Sequence, residues 1–146
     1  MAHFPVFYLT VDEGPFYGFS VFGVPGFKVG RYHHLEQPAD PDNLDRDVAG
    51  RDEAVLREST AKYFPEASGP TMSLKVCMFT NSPDEHFILD VLEDYPQVAV
   101  AAGFSGHGFK FCSVVGEIMA DLATQGSTRH DIEMFRLRRF PSTASA

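Results

Sequence analysis

Three features of this chain could do chemistry: a glycine-rich loop, two lysines in unusual positions and a cysteine in a strand-like segment. The loop, GFSGHGFKF from Gly103 to Phe111, lies between an apolar stretch at 97–102 and a long amphipathic segment. This order predicts strand, tight loop and helix. A helix start attracts anions, because its first backbone N–H groups lack intrahelical partners and the helix dipole is positive there. The spacing G-x-x-G-x-G departs from the dinucleotide fingerprint, so the loop predicts an anion-binding helix start and nothing narrower.

Two lysines stand where a positive charge is unfavourable. Lys110 falls in the first turn of the predicted helix, where a cation opposes the dipole unless something negative sits there. Lys28 lies in an apolar and aromatic run, where burying a cation is costly unless a partner or ligand takes it. The alternatives are a solvated Lys110, and a Lys28 that protects an edge strand from aggregation. Both alternatives stay open.

Cys77 belongs to a segment, 72–80, whose alternation is typical of a strand. One face carries Met72, Leu74, Val76 and Met78, and the other carries Ser73, Lys75, Cys77 and Phe79. Cys77 is therefore off the apolar face, where Lys75 could favour its thiolate, although a lone strand cysteine is more often a small packed side chain. We expect Cys77 and Cys112 to stay reduced. No spacing indicates a metal site, since the neighbours His33 and His34 would point to opposite sides of a strand.

Composition limits the remaining possibilities. The 146 residues are 44% hydrophobic and 22% charged, which is typical of one soluble domain or part of one. A net charge of −8 argues against a nucleic-acid partner, because the only basic cluster is Arg136, Arg138 and Arg139. No run of about 18 apolar residues predicts a membrane span, and the N-terminus lacks the pattern of a signal peptide. These features predict a cytoplasmic protein.

The hydrophobic pattern predicts an α+β chain. Aromatic and β-branched runs separated by Asp, Gly and Pro predict an antiparallel meander of three strands, at 4–11, 16–22 and 27–34. A helix is expected at 51–64, with Asp52 as its N-cap and Pro65 as its stop, followed by strands at 72–80, 87–92 and 97–102. The last helix should run from about Phe109 to Gln125 and end at Gly126, burying Phe111, Val114, Val115, Ile118, Met119 and Leu122.

Four segments carry a resemblance to a known family. They are YGFSVFGVPGFKVGRYHH (17–34), CMFTNSPDEHFILD (77–90), VAVAAGFSGHGFKFCSVVGEIMADLATQG (98–126) and FRLRRF (135–140). Together they resemble the C-terminal part of the monomeric sarcosine oxidase and N-methyltryptophan oxidase family of FAD-dependent amine oxidases. The resemblance implies oxidation of a secondary amine, sarcosine or another N-methyl amino acid, to an imine, with the electrons passed to O2 to give H2O2.

The resemblance also implies roles for particular residues. Cys77 matches the cysteine that joins the FAD covalently, and Lys28 matches the lysine near the flavin that is linked to oxygen activation. Lys110 matches the lysine that holds the substrate carboxylate, and Gly106 the glycine whose backbone faces the substrate. The cofactor-binding loop comprises Gly106, His107, Gly108, Phe109 and Lys110.

Two further side chains, Tyr17 and His33, match an active-site tyrosine and histidine of that family, and Tyr17 also matches a substrate contact. This chain has one more residue between Lys28 and the Tyr-His pair than the family pattern. Regular alternation would put His34 on the face of Lys28, so a bulge near Gly30 and Arg31 is needed to bring His33 there. Either histidine could therefore face the flavin.

The implied fold is a mainly antiparallel sheet of a substrate domain plus the closing strand and helix of a glutathione-reductase-like FAD-binding domain. Residues 1–83 would be the partial substrate domain, 84–140 the part of the FAD-binding domain, and 141–146 a disordered tail. The N-terminal Rossmann half with its pyrophosphate seat is absent, so a missing or separately encoded half is the expected partner. The alternatives are a non-catalytic remnant or binding module, and a small anion-binding protein using only the loop.

Overall fold

The computed structural model describes residues 4–141, and the chain divides between Cys77 and Met78 into two compact units. Each unit is a mixed arrangement with one small antiparallel sheet and one long helix. The tail predicted to be disordered lies outside the described residues, except for Pro141.

The first unit is built on the predicted meander, which is confirmed. Strands β1 (Phe7–Val11), β2 (Gly14–Phe19) and β3 (Lys28–Arg31) pair in the order β1-β2-β3, and both pairings are antiparallel. Each strand is shorter than its aromatic run, because the pairing ends where the chain turns at 12–13 and again after Phe19. β2 is thus the central strand, and β3 lies at an edge of the sheet.

One face of this sheet is the inner face of the unit. Phe16 is only 1% exposed there, and the rings of Phe7, Phe27 and Phe64 contact one another at centroid separations of 4.7–5.7 Å. Phe64 is the residue at the C-terminal end of the following helix, so aromatic packing attaches that helix to the sheet. The opposite face, which carries Tyr17 and Lys28, is left for other contacts.

Helix α1 (Gly50–Tyr63) confirms the predicted helix and its stop before Pro65. The prediction of Asp52 as N-cap is wrong, because Gly50 and Arg51 already belong to the helix and Ala49 is the N-cap. Asp52 is the third helical residue, and its carboxylate accepts the Ala49 N–H at 2.8 Å. The Asp52 side chain still accepts a hydrogen bond from a backbone N–H that has no intrahelical partner, but it does so from the first turn of the helix and not from the N-cap position.

The segment predicted as a strand at 72–80 forms no strand in the described part of the chain. Its alternation is retained in part, since Leu74 and Val76 are half-buried while Lys75 and Cys77 are exposed. The pattern then reverses, because Met78 is exposed and Phe79 is half-buried, which contradicts the predicted faces. The reversal coincides with the boundary between the two units, which lies between Cys77 and Met78.

The second unit consists of a hairpin and a helix. Strands β4 (Ile88–Val91) and β5 (Ala99–Ala102) pair antiparallel, and helix α2 (Cys112–Gln125) follows the glycine-rich loop. The predicted stop is confirmed, because Gly126 adopts a left-handed conformation with φ 71° and its N–H bonds to the Leu122 carbonyl. The core of the unit is formed by Phe87, Leu89, Ile118, Leu122 and Ile132.

The apolar stripe predicted on α2 is largely confirmed. Ile118 and Leu122 are buried in the core, and Val114, Val115 and Met119 pack against it. Phe111 remains 37% exposed, because it belongs to the 3-10 turn Phe109–Phe111 that precedes the α-helix. Its ring nevertheless contacts the buried Phe87 ring edge-on, at a centroid separation of 5.3 Å.

Polar contacts attach the C-terminal segment to the hairpin. Asp90 on β4 is paired with the Arg136 guanidinium and accepts the Leu137 N–H at 2.8 Å. Burial alone would raise the pKa of Asp90, but these two donors, with the Val91 N–H, hold it below its usual value. The carboxylate therefore stays charged and holds 136–137 against the strand.

Candidate functional site

The outer face of the first sheet brings together two of the predicted site residues. Tyr17 pairs with Gly30 and Phe19 pairs with Lys28, so Tyr17, Phe19 and Lys28 share this face. The Lys28 ammonium lies 4.9 Å from the centroid of the Phe19 ring, a cation–π contact. Lys28 is exposed at the start of the edge strand β3, so the role of an edge lysine is compatible with its position as well.

The Tyr17 ring lies against Gly30 on the neighbouring strand. A Cβ placed on Gly30 would come within 2.7 Å of the Tyr17 Oη, so the glycine makes room for the ring. Burial raises the pKa of the Tyr17 phenol, and negative charge at nearby Cys77 raises it further. The phenol therefore stays protonated and able to donate a hydrogen bond, and the Cys77 thiol is exposed.

His33 and His34 lie in a turn, not on a strand. Pairing is regular through Arg31, so the predicted bulge near Gly30 and Arg31 is wrong, and β3 ends three residues before the predicted limit of 34. His33 itself adopts a left-handed conformation with φ 51° and ψ 51°. Its ring stands edge-on to the Tyr32 ring at a centroid distance of 4.4 Å. The position of the His33 imidazole is therefore set by the turn and not by a bulge in β3.

The second histidine has a different partner. The Nε2 atom of His34 lies 2.9 Å from Oδ1 of Asp52, and hydrogen bonding to His34 lowers the pKa of Asp52. Because an ionised carboxylate can only accept, Nε2 carries the proton and donates it. The expectation that the two histidines point to opposite sides of a strand is wrong, since no strand reaches them.

The glycine-rich loop joins β5 to α2, as predicted, and three of its residues have positive φ: Gly103, Ser105 and Gly106. Backbone N–H groups of the loop are used inside the unit: Ser105 donates to the Thr80 carbonyl at 3.1 Å, His107 to the Phe104 carbonyl at 3.0 Å and Phe111 to the Gly108 carbonyl at 2.9 Å. The His107 Nδ1 lies 3.0 Å from the Ser105 carbonyl oxygen. These contacts fix the bend of the loop that presents Gly106 to Lys110.

Residues of this loop border two cavities within the second unit. His107 and Lys110 line a cavity of about 410 Å³, whose other walls are mainly apolar side chains of β4, α2 and the segment after it. Gly106 borders a second cavity of about 390 Å³ beside Phe79 and Thr80. Lys110 is exposed with its ammonium 5.2 Å from the centroid of the Phe111 ring. Phe109 is 91% exposed, so an aromatic surface stands at the helix start.

Two residues that hold the loop were not singled out from the sequence. Ser105 is 1% exposed, and its hydroxyl donates to the Gly103 carbonyl and accepts the Ser82 N–H. The Phe79 ring lies against Gly106, where an added Cβ would come within 2.6 Å of it. A serine between glycines is a weak local signal for such a buried bridge. The Phe79 contact has no local signal.

Residues 4–141 contain neither a candidate metal cluster nor a helix that could cross a membrane. No group of three or more His, Cys, Asp or Glu side chains in this range could hold a metal ion. No helix in the same range has the length and apolar character that crossing a bilayer requires.

Comparisons with known proteins place these features in a family. The chain is 51% identical over 140 residues to the monomeric sarcosine oxidase of Bacillus sp. (strain NS-129), a match that covers 94% of this chain and 36% of that protein. It is 36% identical to the human peroxisomal sarcosine oxidase over 98% of this chain and 37% of that protein. The chain therefore spans about a third of the length of these curated relatives.

A solved structure shows the same fold. The crystal structure of L-proline dehydrogenase from P. horikoshii matches with a TM-score of 0.65 at 21% identity, over 90% of this chain and 37% of that one. The family model described as FAD dependent oxidoreductase matches residues 2–122. On this match, the chain belongs to the FAD dependent oxidoreductase family.

Proposed function

We propose that this chain is the C-terminal part of an FAD-dependent amine oxidase that converts a secondary amine, sarcosine or another N-methyl amino acid, to an imine. The observation that carries the proposal is the 51% identity to the Bacillus monomeric sarcosine oxidase across 94% of the chain. In the overall reaction, the amine loses two hydrogens and O2 gains them as H2O2. FAD, when bound, would accept the two electrons from the amine and pass them to oxygen.

The residues of the first unit fit a flavin. Cys77 offers an exposed thiol that interacts electrostatically with Tyr17, and covalent attachment needs a sulfur that the cofactor can reach. Gly30 leaves a flat surface on which the Tyr17 ring lies, so the neighbouring strand contributes no bulk there. We propose that Cys77 holds the FAD covalently and that the neutral Tyr17 phenol donates a hydrogen bond to the substrate.

We propose separate roles for the positive charges of Lys28 and Lys110. Lys28 is exposed and held over an aromatic ring, so its charge is available to stabilise negative charge that develops as oxygen is reduced. Lys110, in the turn before α2, would hold the substrate carboxylate, and the backbone of Gly106 would face the substrate. His107, Gly108 and Phe109 would contact the cofactor at the same helix start, where the dipole favours negative charge.

The domain assignment belongs to the same proposal. Residues 1–83 would be part of the substrate domain and 84–140 part of the FAD-binding domain, with the FAD pyrophosphate seat supplied by a segment outside this chain. The cytoplasmic location stays a prediction from the sequence.

The proposal is tested on a chimeric protein, in which a relative supplies the segments that this chain does not match. The chain would be joined to the segments of the Bacillus monomeric sarcosine oxidase that it does not match, and the product loaded with FAD. Peroxide release would be measured with sarcosine, N-methyl-L-tryptophan and L-proline, with glycine as the unmethylated control. We expect peroxide with at least one N-methyl amino acid and none with glycine. A flavin-loaded assembly that releases no peroxide with any of the amines contradicts the proposal.

A further inference from the structure

The turn after β3 is held in an unfavourable backbone conformation. His33, Leu35 and Glu36 all have φ near +50°, a region that side chains other than glycine rarely adopt. The sequence HHLE offers neither Gly nor Asn to relieve this. Such a conformation persists only where surrounding contacts determine it, and it is typical of residues whose placement matters for function.

One contact joins this turn to a rigid element. The Nε2 atom of His34 donates to Asp52 at 2.9 Å, and Asp52 lies in the first turn of the 14-residue helix α1. The other Asp52 oxygen accepts the Ala49 N–H, so the carboxylate is oriented from both sides. Both side chains are partly shielded from water, His34 being 32% and Asp52 22% exposed. A second and longer contact, from Arg51 to Gln37 at 3.4 Å, joins the same two regions.

We propose that His34 and Asp52 are a positioning pair that holds His33 edge-on to Tyr32 for the reaction. This inference rests on the proposed function, in which His33 is an active-site side chain. His34 takes no part in the chemistry. Its hydrogen bond to Asp52 attaches the turn to α1, so the helix determines the position of the His33 imidazole. Tyr32 in turn contacts Tyr8 on β1, at 6.0 Å between ring centroids, so the His33 ring is linked through Tyr32 to the first strand of the sheet.

The variants separate this link from other effects at the helix start. His34→Ala removes the donor and leaves the Asp52 contact with Ala49 intact, whereas His34→Gln keeps an N–H donor at similar reach. Asp52→Ala removes the acceptor. Glu53→Ala is the matched control, since it removes the next carboxylate of the same helical turn, whose partners are Arg57 and Thr71 rather than the turn after β3.

Two readouts are needed. The first is the NMR chemical shift of the His33 ring protons in the chain itself, because the Tyr32 ring current depends on their relative placement. The second is kcat and KM of the assembled oxidase. We expect His34→Ala and Asp52→Ala to move the His33 signals and to lower kcat about tenfold with little change in KM, since small misplacements of reacting groups act on the chemical step. His34→Gln should restore both readouts, and Glu53→Ala should change neither.

Two results overturn the inference. Unchanged His33 signals in His34→Ala would mean that the pair does not position the imidazole. An equal loss in Glu53→Ala would mean that the effect belongs to the helix start in general. An assembly that oxidises no amine contradicts the proposed function, while the His33 signals still decide whether the pair positions the ring.

Discussion

Gly106→Ala should destabilise the second unit by about 2–5 kcal/mol, for two separate reasons. Gly106 has φ +77°, and a side chain in the left-handed region costs about 1–2 kcal/mol. In addition, the new methyl group would lie 2.6–2.8 Å from three carbons of the Phe79 ring, where ordinary contact begins at 3.4 Å. Overpacking of this kind costs about 1–3 kcal/mol, because the ring has to move by much of an ångström.

The unit contains its own controls for each contribution. Gly126 has φ +71° with nothing within 4 Å of an added Cβ, so Gly126→Ala measures the backbone cost alone, about 1–2 kcal/mol. Gly116 is exposed on α2 with open space around it, and Gly116→Ala should stabilise the unit by about 1 kcal/mol through helix propensity. The free energies of unfolding of all three variants would be compared in urea, with far-UV circular dichroism as the signal.

The difference between two variants decides the argument. If Phe79 packs against Gly106, Gly106→Ala costs about 1–3 kcal/mol more than Gly126→Ala, and a double-mutant cycle with Phe79→Ala shows coupling of that size. Equal costs for Gly106→Ala and Gly126→Ala, with additive double mutants, would refute the packing of the loop against Phe79. That result would remove the reason given for a glycine at this position.

Three other predictions concern named side chains. Asp90→Asn should cost about 1–3 kcal/mol in urea unfolding, because it leaves Arg136 without its charged partner. The pKa of Asp90 is lowered from 3.8 in the folded state, so its contribution to stability is fully present above pH 3.8 and is lost as pH falls through the folded-state pKa. Acid unfolding of the wild type should therefore be steeper than that of Asp90→Asn. Parallel acid-unfolding curves would count against a stabilising Asp90–Arg136 ion pair. In the assembled oxidase, Cys77→Ser should release yellow flavin on acid precipitation, because the proposed covalent link is lost. Cys112→Ser, which removes a second exposed cysteine, should retain the flavin, and release from both variants would exclude Cys77 as the attachment point. Lys28→Met should slow reoxidation of the reduced enzyme by O2 about 100-fold in stopped-flow measurements and Lys75→Met should not, so an unchanged rate in Lys28→Met would remove the role given to Lys28.

Elements with a local periodic signal were predictable from the sequence. The alternation around β1, β2 and β3 and the stripe on α2 were sufficient to locate them, because each pattern repeats over several residues and one face packs on a core. The segment at 72–80 has the same kind of alternation and forms no strand. A strand exists only when its backbone groups pair with a neighbour, and which segment supplies the neighbour is a non-local property. Alternation alone therefore does not predict that a segment pairs as a strand.

The site residues show the same difference between local signals, which can be predicted from the sequence, and non-local contacts, which cannot. The loop from Gly103 to Lys110 was predicted to join a strand and a helix, because glycines and the amphipathic pattern are local signals. The contacts that fix it, from Phe79 to Gly106 and from Ser105 to Ser82, involve residues about 25 positions apart, and no spacing in the sequence indicates them. Packing of this kind is specified by the whole unit and not by any short segment.

The chain reaches His33 through a turn and not through a bulge in β3. Regular pairing continues through Arg31, and the Tyr32 ring then contacts that of Tyr8 on the outer face. The chain then turns through left-handed conformations at His33, Leu35 and Glu36, and His34 contacts Asp52. A bulge would have moved the whole strand, whereas the turn moves only the residues after it. Tyr17 and Lys28 consequently keep the same face of the sheet, while the placement of His33 becomes dependent on α1.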